Sequence, residues 1–155
     1  MPTLAELVMK IDLDQSTVDT IKTYKFHDYR PKQFKTEILW AKAEDGTKIP
    51  IAVFYNEFQI KQKLNGIIIK GYGMYGGVYE SGFSLDAMIY AKQGFIVAWP
   101  LVRGGADLGQ EWHNEGKLLN KKTPLRITLP VPSFCKKNTT SHLNEWQGKD
   151  LAQEA

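Results

Sequence analysis

Gly66-Ile67-Ile68-Ile69-Lys70 is a β-branched run that leads directly into the glycine-rich residues 71–77. β-Branched residues favour strands, and an unbroken apolar run predicts a strand buried on both faces of a parallel or mixed sheet. In α/β enzymes, ligands bind beyond the carboxyl ends of such strands. The sequence therefore predicts a core strand with a candidate functional site at its end.

A helix and a second strand are predicted after the glycine-rich residues. Ser84 can cap a helix from about Leu85 to Gln93, because its side-chain oxygen can accept from the first free amides. Asp86 lies in the first turn, where the helix dipole favours a carboxylate, and Gly94 is a typical stop. Phe95 to Val102 then predicts another buried strand. This order indicates an α/β fold with a right-handed crossover.

A clear hairpin is predicted upstream of this unit. Phe34 to Lys42 and Lys48 to Tyr55 flank Glu44-Asp45-Gly46, a turn whose glycine can adopt positive φ. Pro50 removes a ladder donor from the second strand and so predicts an edge strand. The polar stretch Asn56 to Asn65 predicts a surface loop.

A second hairpin is predicted nearer the start, with strands Leu7 to Ile11 and Val18 to Tyr24. An isolated hairpin is only marginally stable in water. This hairpin must therefore pack against the rest of the chain or against a neighbour.

Composition and charge argue against several classes of protein. Of the 155 residues, 43% are hydrophobic and 24% are charged, which is ordinary for a globular protein and atypical of disorder. The net charge of +3 is spread along the chain, so no nucleic-acid partner is expected. Cys135 and three widely spaced histidines form no zinc pattern, so neither metal nor cofactor is expected. No apolar run approaches the about 18 residues of a membrane span, and a reducing cytoplasm is the expected location.

Four segments of the chain carry recognisable motifs. They are Trp40-Ala41-Lys42-Ala43-Glu44-Asp45-Gly46-Thr47-Lys48-Ile49-Pro50-Ile51, Lys70-Gly71-Tyr72-Gly73-Met74-Tyr75-Gly76, Val102-Arg103-Gly104-Gly105-Ala106-Asp107-Leu108-Gly109-Gln110-Glu111-Trp112 and Gly116-Lys117-Leu118-Leu119-Asn120-Lys121-Lys122. In this order and with these gaps, they resemble the prolyl oligopeptidase family of serine peptidases, which includes prolyl endopeptidase and oligopeptidase B.

The resemblance implies an incomplete α/β fold. Residues 1–33 would be the end of the family's β-propeller and a linker, and residues 34–122 the N-terminal part of its α/β-hydrolase (peptidase) domain. In the family, the propeller restricts the active site to short peptides, so a short peptide would be the substrate of the full-length parent. Residues 123–155 depart from the family pattern, and their prolines predict a poorly ordered tail with a short helix at 141–153.

Two tyrosines match functional positions of the family. Tyr72 matches the tyrosine whose hydroxyl helps to stabilise the oxyanion, and Tyr75 falls where relatives place an aromatic side chain near a substrate pocket. Without the resemblance, a packed or capping tyrosine is the alternative for Tyr72. Residues 71–77 lack the lysine and the Ser/Thr of a phosphate-binding loop.

Structural roles are expected for four other residues. Arg103 is expected to pair with a carboxylate beside a tight Gly104-Gly105 turn. Trp99 and Trp112 are expected to anchor the core. His113 is expected to be a surface or capping residue.

The family's catalytic triad has no match in this sequence. A peptidase of this class needs a serine in a Gly-x-Ser-x-Gly turn, followed later by aspartate and histidine. Gly82-Phe83-Ser84 begins the pattern, but Leu85 and Asp86 follow it, so Ser84 is better explained as a helix cap.

A shifted reading frame gives one explanation for the departure after Lys122. When the last base of each codon is joined to the first two of the next, Ile127 to Glu154 permit the family string Tyr-Ile-Ala-Cys-Ala-Glu. In the same frame, residues 147–155 permit Gly-Lys-Gly-Ser-Gly-Ala-Gly-Gly, the family's nucleophile motif. The hypothesis is a truncated fragment whose tail is frame-shifted from around Thr123.

The leading functional expectation is a fragment of a serine-type oligopeptidase, which hydrolyses peptide bonds through an acyl-enzyme and would be inactive without its triad. One alternative is another α/β hydrolase, such as an esterase. A second alternative is a non-catalytic binding module in which Tyr72, Tyr75 and Tyr79 form a ligand surface.

Overall fold

The protein is described from a computed structural model that covers residues 7–26, 29–43, 45–80 and 82–120. The strands are β1 (Leu7–Asp12), β2 (Thr17–Thr23), β3 (Phe34–Lys42), β4 (Lys48–Asn56), β5 (Gly66–Ile69) and β6 (Phe95–Pro100). The α-helices are α1 (Glu57–Gln62), α2 (Leu85–Lys92) and α3 (Gln110–Asn114), and short 3₁₀ turns occupy Pro31–Gln33 and Leu118–Asn120.

Four strands form a mixed sheet in the order β3-β4-β6-β5. β4 is antiparallel to both β3 and β6, whereas β5 runs parallel to β6. The predicted strand, helix and strand order is therefore confirmed, with α2 connecting two parallel neighbours. The handedness of this connection stays a prediction.

β4 forms the centre of the core because both of its faces are covered. Ile51 and Val53 pack on one face with Ile60 of α1 and Ile96 of β6. Phe54 lies on the other face, in a separate cluster with Phe34, Ala87, Met88, Ala91 and Val97. The side chains of this strand thus hold α1 and α2 on opposite sides of the sheet.

The prediction that Pro50 marks an edge strand is wrong, because β4 lies between β3 and β6. The ladder with β6 begins only at Ile51, opposite Pro100. The Pro50 carbonyl accepts from the Leu101 amide at 2.9 Å. Pro50 thus lies at the end of the ladder with β6, and the Leu101 carbonyl opposite it accepts from the Trp112 indole at 3.1 Å instead of from a backbone amide.

The predicted loop at residues 56–65 contains α1. The Asn56 side chain caps this helix by accepting from the Gln59 amide at 3.1 Å. Ile60 points into the core and is fully buried. The Lys63 amide closes the last turn on the Gln59 carbonyl at 2.9 Å. Ile60 is the one buried side chain of α1, so the sequence shows no apolar periodicity from which this helix could be predicted.

The predicted ends of α2 are confirmed. The Ser84 side chain accepts from the Ala87 amide at 3.4 Å, and Asp86 lies in the first turn. Gly94 follows with φ of +79°, and a Cβ there would lie 2.5 Å from the Lys63 carbonyl oxygen. Only glycine therefore fits at this stop without displacing the backbone.

The prediction that β5 is buried on both faces is wrong for the described residues. β5 pairs with β6 alone, at the edge of the sheet, and Ile67, Ile68 and Ile69 are half-buried. A β-branched run predicts that a strand forms, but its burial depends on neighbouring strands and helices that are distant in sequence.

The hairpin of β1 and β2 is confirmed as a separate two-stranded sheet. The Asp12 carboxylate accepts from the amides of Asp14 and Gln15 and so shapes the turn. Its apolar side chains are exposed, including Leu7, Met9, Ile11 and Val18. In the part of the chain described here, the packing partner that this hairpin needs is not seen.

None of the described helices is long and apolar enough to span a bilayer. The predicted tail at 123–155, including its helix at 141–153, lies outside the described residues.

Candidate functional site

A cleft of about 600 Å³ lies at the carboxyl ends of β5 and β6. Because the two strands are parallel, their ends meet at the same edge of the sheet, which is where α/β folds place ligands. The walls come from the loop after β5, the start of α2 and the loop after β6. The polar and aromatic residues that matter are Lys70, Tyr72, Tyr79, Asp86, Trp99 and Asp107.

The segment at residues 71–77, which we call the glycine loop, is held against the residues that follow β6. Gly73 has φ of +57°, and a Cβ on it would lie 2.3 Å from Val102 Cγ2. Gly104 has φ of +99°, and a Cβ there would lie 2.3 Å from the Gly73 carbonyl oxygen. The two backbones approach so closely that side chains are excluded, which fixes the glycine loop in place.

Arg103 connects the residues that follow β6 to the β3–β4 turn. Its guanidinium is buried, pairs with Asp45 in the β3–β4 turn, and lies 3.5 Å from both Thr47 Oγ1 and Glu115. The Thr47 amide, followed by Arg103, lowers the pKa of the Asp45 carboxyl to about 2. The expected pairing of Arg103 with a carboxylate is confirmed.

Asp107 joins the loop after β6 to the segment that leads into α2. Its carboxylate accepts from the Tyr79 amide at 2.6 Å. The Tyr79 ring packs against Trp99, with centroids 5.3 Å apart, and burial raises the pKa of the Tyr79 hydroxyl. Tyr79 and Trp99 thus form an aromatic wall of the cleft.

Lys70 and Asp86 form an ion pair at the end of β5. Ser84 Oγ donates to the same carboxylate. Lys70, followed by Ser84, lowers the pKa of Asp86 to about 2. The Ser84 hydroxyl is therefore engaged twice, as a donor to Asp86 and as the cap of α2, which confirms its prediction as a capping residue.

Tyr72 and Tyr75 occupy different surroundings. Tyr72 lines the cleft with 62% of its surface exposed, and a Cβ on Gly77 would lie 3.1 Å from its ring. Tyr75 lies at the tip of the glycine loop with φ of +53° and is 84% exposed. It is not among the residues that line the cleft. The structure therefore brings Tyr72, but not Tyr75, to the cleft together with Tyr79 and Trp99.

The structure tests the expected roles of Trp112, Trp99 and His113. Trp112 is a core anchor as predicted, since it is buried and donates from Nε1 to the Leu101 carbonyl at 3.1 Å. Trp99 packs against the core but also faces the cleft. His113 caps no helix end; its Nδ1 lies 2.7 Å from the Gly104 carbonyl oxygen, beside the glycine loop.

Two cleft residues escaped the sequence analysis. Asp107 appeared only within a family motif, and Lys70 only within another motif and as the end of a strand. Their partners, Tyr79 and Asp86, lie 28 and 16 residues away in sequence. No local spacing rule joins residues that far apart.

The comparisons with known proteins point to one family. The family model described as the prolyl oligopeptidase family matches residues 81–131. The prolyl endopeptidase-like protein of Xenopus laevis is 36% identical over 90 residues, which are 58% of this chain and 13% of the relative. Protease 2 of Moraxella lacunata is 32% identical over 95 residues, which are 61% of this chain and 14% of the relative.

A solved structure supports the same assignment. Oligopeptidase B from Trypanosoma brucei, with covalently bound antipain and in a closed form, matches with a TM-score of 0.75 at 27% identity. The match covers 90% of this chain and 19% of that chain. The chain thus spans about a fifth or less of the relatives it matches. In its family model, its sequence relatives and its fold, the chain thus resembles the prolyl oligopeptidase family.

Proposed function

We propose that this chain is part of a serine-type oligopeptidase and that Tyr72 supplies its oxyanion-stabilising hydroxyl. The observation that carries the proposal is the position of Tyr72, at the end of β5 and on the wall of the cleft, with its ring largely exposed. The glycine loop that bears it is fixed by close backbone contact with Gly104.

A fixed hydroxyl suits this role for an electrostatic reason. When a nucleophile attacks a peptide carbonyl, negative charge develops on the carbonyl oxygen. A donor that is already in place stabilises this charge without reorganisation, and losing such a donor typically costs about 3 kcal/mol. The close packing of the glycine loop supports such preorganisation of Tyr72.

By itself, the chain is proposed to turn over no peptide. Acyl transfer needs a nucleophile and a base that activates it. Ser84 is the one serine among the described residues that line the cleft, and its hydroxyl is bonded to Asp86, a weak base because its pKa is lowered to about 2. No histidine is among those lining residues.

The remainder of the proposal concerns the parent enzyme. Its substrate would be a short peptide, which is supported by the covalently bound antipain of the related oligopeptidase B. Residues 1–33 would end a propeller, residues 34–122 would begin the peptidase domain, and the frame-shifted tail would account for residues 123–155. The cytoplasmic location likewise remains a proposal.

A binding module without catalysis is the second candidate. The observation that favours it is the aromatic wall of Tyr79 and Trp99, which offers a stacking surface next to Tyr72. In this case the cleft would retain a peptide without cleaving it.

An assay on the purified chain separates these functions. The chain is incubated with fluorogenic peptides and, in parallel, with a fluorophosphonate probe that labels activated serines. The fragment proposal expects neither turnover nor labelling, and Ser84→Ala serves as the background control. Labelling that Ser84→Ala abolishes would contradict the proposal, whereas peptide binding without labelling would favour the binding module.

A further inference from the structure

The Gly104 carbonyl connects α3 with the glycine loop. It accepts from the Gly76 amide at 3.1 Å and from His113 Nδ1 at 2.7 Å. The Gly104 amide donates to the Trp112 carbonyl at 3.0 Å. Residues of α3 therefore bond to both the amide and the carbonyl of Gly104, and the Gly104 carbonyl also accepts from the Gly76 amide.

His113 also lies beside the glycine loop. A Cβ on Gly76 would lie 3.7 Å from His113 Nδ1 and 3.8 Å from Cε1, which is ordinary van der Waals contact. The imidazole thus lies beside Gly76 and donates to the Gly104 carbonyl, which also accepts from the Gly76 amide. The side chain is half-buried, so this bond is partly shielded from competing water.

We propose that His113 is a positioning residue for Tyr72. His113 holds the Gly104 carbonyl, and this carbonyl accepts from the Gly76 amide. Gly76 belongs to a turn in which the Gly77 amide donates to the Met74 carbonyl at 3.0 Å, so the position of this turn depends on His113. Gly77 lies beside the Tyr72 ring, since a Cβ added to Gly77 would lie 3.1 Å from that ring. This inference rests on the proposed role of Tyr72 as the oxyanion donor.

α3 has an anchor of its own that does not depend on His113. The indole of Trp112 is buried and donates to the Leu101 carbonyl at 3.1 Å. Trp112 also packs with Ile49 and Val102. Loss of the His113 bond should therefore loosen the glycine loop around Gly76 and Gly77 while leaving α3 in place.

The hydrogen-bond chemistry suggests matched variants. A carbonyl oxygen can only accept, so the His113 proton involved lies on Nδ1. An asparagine amide nitrogen occupies about the same position as Nδ1, so His113→Asn retains the donor. His113→Leu removes the donor, and His113→Gln keeps a polar side chain but moves its amide one bond farther out.

The test is nuclear magnetic resonance of the full chain and its variants. The first observable is hydrogen exchange at the Gly76 amide, and the second is the cross-peak between the Tyr72 ring and the Gly77 α-protons. His113→Leu and His113→Gln should speed exchange at Gly76 by about fivefold, the effect of one typical hydrogen bond. Both should weaken the cross-peak, whereas His113→Asn should preserve both observables.

Two results would overturn the inference. One is an unchanged Tyr72–Gly77 cross-peak in His113→Gln, which would show that the ring position does not depend on this bond. The other is the same loss in His113→Asn as in His113→Gln, which would indicate a general requirement for the imidazole in packing. If His113→Leu fails to fold, the comparison of His113→Gln with His113→Asn still decides. Neither result bears on whether the Tyr72 hydroxyl stabilises an oxyanion, which requires a measurement of catalysis.

Discussion

Arg103 and Asp45 form an ion pair that ties the β3–β4 turn to the residues that follow β6. The guanidinium is buried, whereas the carboxylate is partly exposed. The two residues are 58 positions apart in sequence. Because Arg103 precedes Gly104, this pair helps to place the backbone against which the glycine loop packs.

We predict that Asp45→Asn destabilises the protein by about 2 kcal/mol, because it leaves the buried Arg103 without its close counter-charge. The asparagine can still accept from the Thr47 amide, so the turn itself is retained. Glu115→Gln is the matched control, since Glu115 is exposed and lies 3.5 Å from the guanidinium. It should cost less than about 0.5 kcal/mol. Urea denaturation measures both, and equal costs would contradict a dominant role of Asp45.

Stability should depend on pH in the acidic range. The pKa values of Asp45 and Asp86 fall from their ordinary value of 3.8 to about 2 in the folded protein. Since the folded-state pKa is the lower one, the stabilisation is fully present above about pH 5 and is lost as the pH falls through about 4 to 2. Urea midpoints measured across this range should decrease less steeply in an Asp45→Asn, Asp86→Asn double variant. An unchanged slope would mean that other carboxylates dominate acid unfolding.

Gly73→Ala should destabilise the protein by at least about 2 kcal/mol, because the new Cβ would be strained at positive φ and would clash with Val102. Gly82→Ala is the control from the same part of the chain, since a Cβ there meets no atom within 4 Å. It should change stability by less than about 0.5 kcal/mol. Thermal unfolding of the two variants tests this contrast. Similar melting temperatures would show that the glycine loop is not held against Val102.

Ser84→Ala should destabilise the protein by about 1 kcal/mol, the typical cost of losing a helix cap. Ser84→Thr keeps a hydroxyl that can accept from the Ala87 amide, so it should recover most of the loss. Far-ultraviolet circular dichroism during urea denaturation reports the effect on α2. If Ser84→Ala were as stable as the natural chain, the capping role would be refuted.

Features set by neighbouring residues could be predicted from the sequence. The cap at Ser84, the stop at Gly94 and the hairpin around Asp45 and Gly46 depend on local backbone chemistry, and the structure confirms them. The resemblance to the family could also be recognised, because its motifs are continuous strings of residues.

Features set by distant residues could not be predicted. The position of β4 inside the sheet depends on β6, whose paired residues lie more than 40 positions later in sequence, so the edge strand predicted from Pro50 was wrong. The contact of Asp107 with Tyr79 and the bond of His113 to Gly104 likewise depend on how loops meet in the fold.

The role of Tyr72 is tested most directly in a chimera that supplies its own nucleophile. The matching segment of the Moraxella lacunata protease 2 would be replaced by residues 66–120 of this chain, which include His113, and kcat would be measured with and without Tyr72→Phe. We predict a fall in kcat of about 100-fold for Tyr72→Phe and less than about twofold for the control Tyr90→Phe, which lies on α2 away from the cleft. An active chimera in which Tyr72→Phe leaves kcat within about twofold would contradict the account.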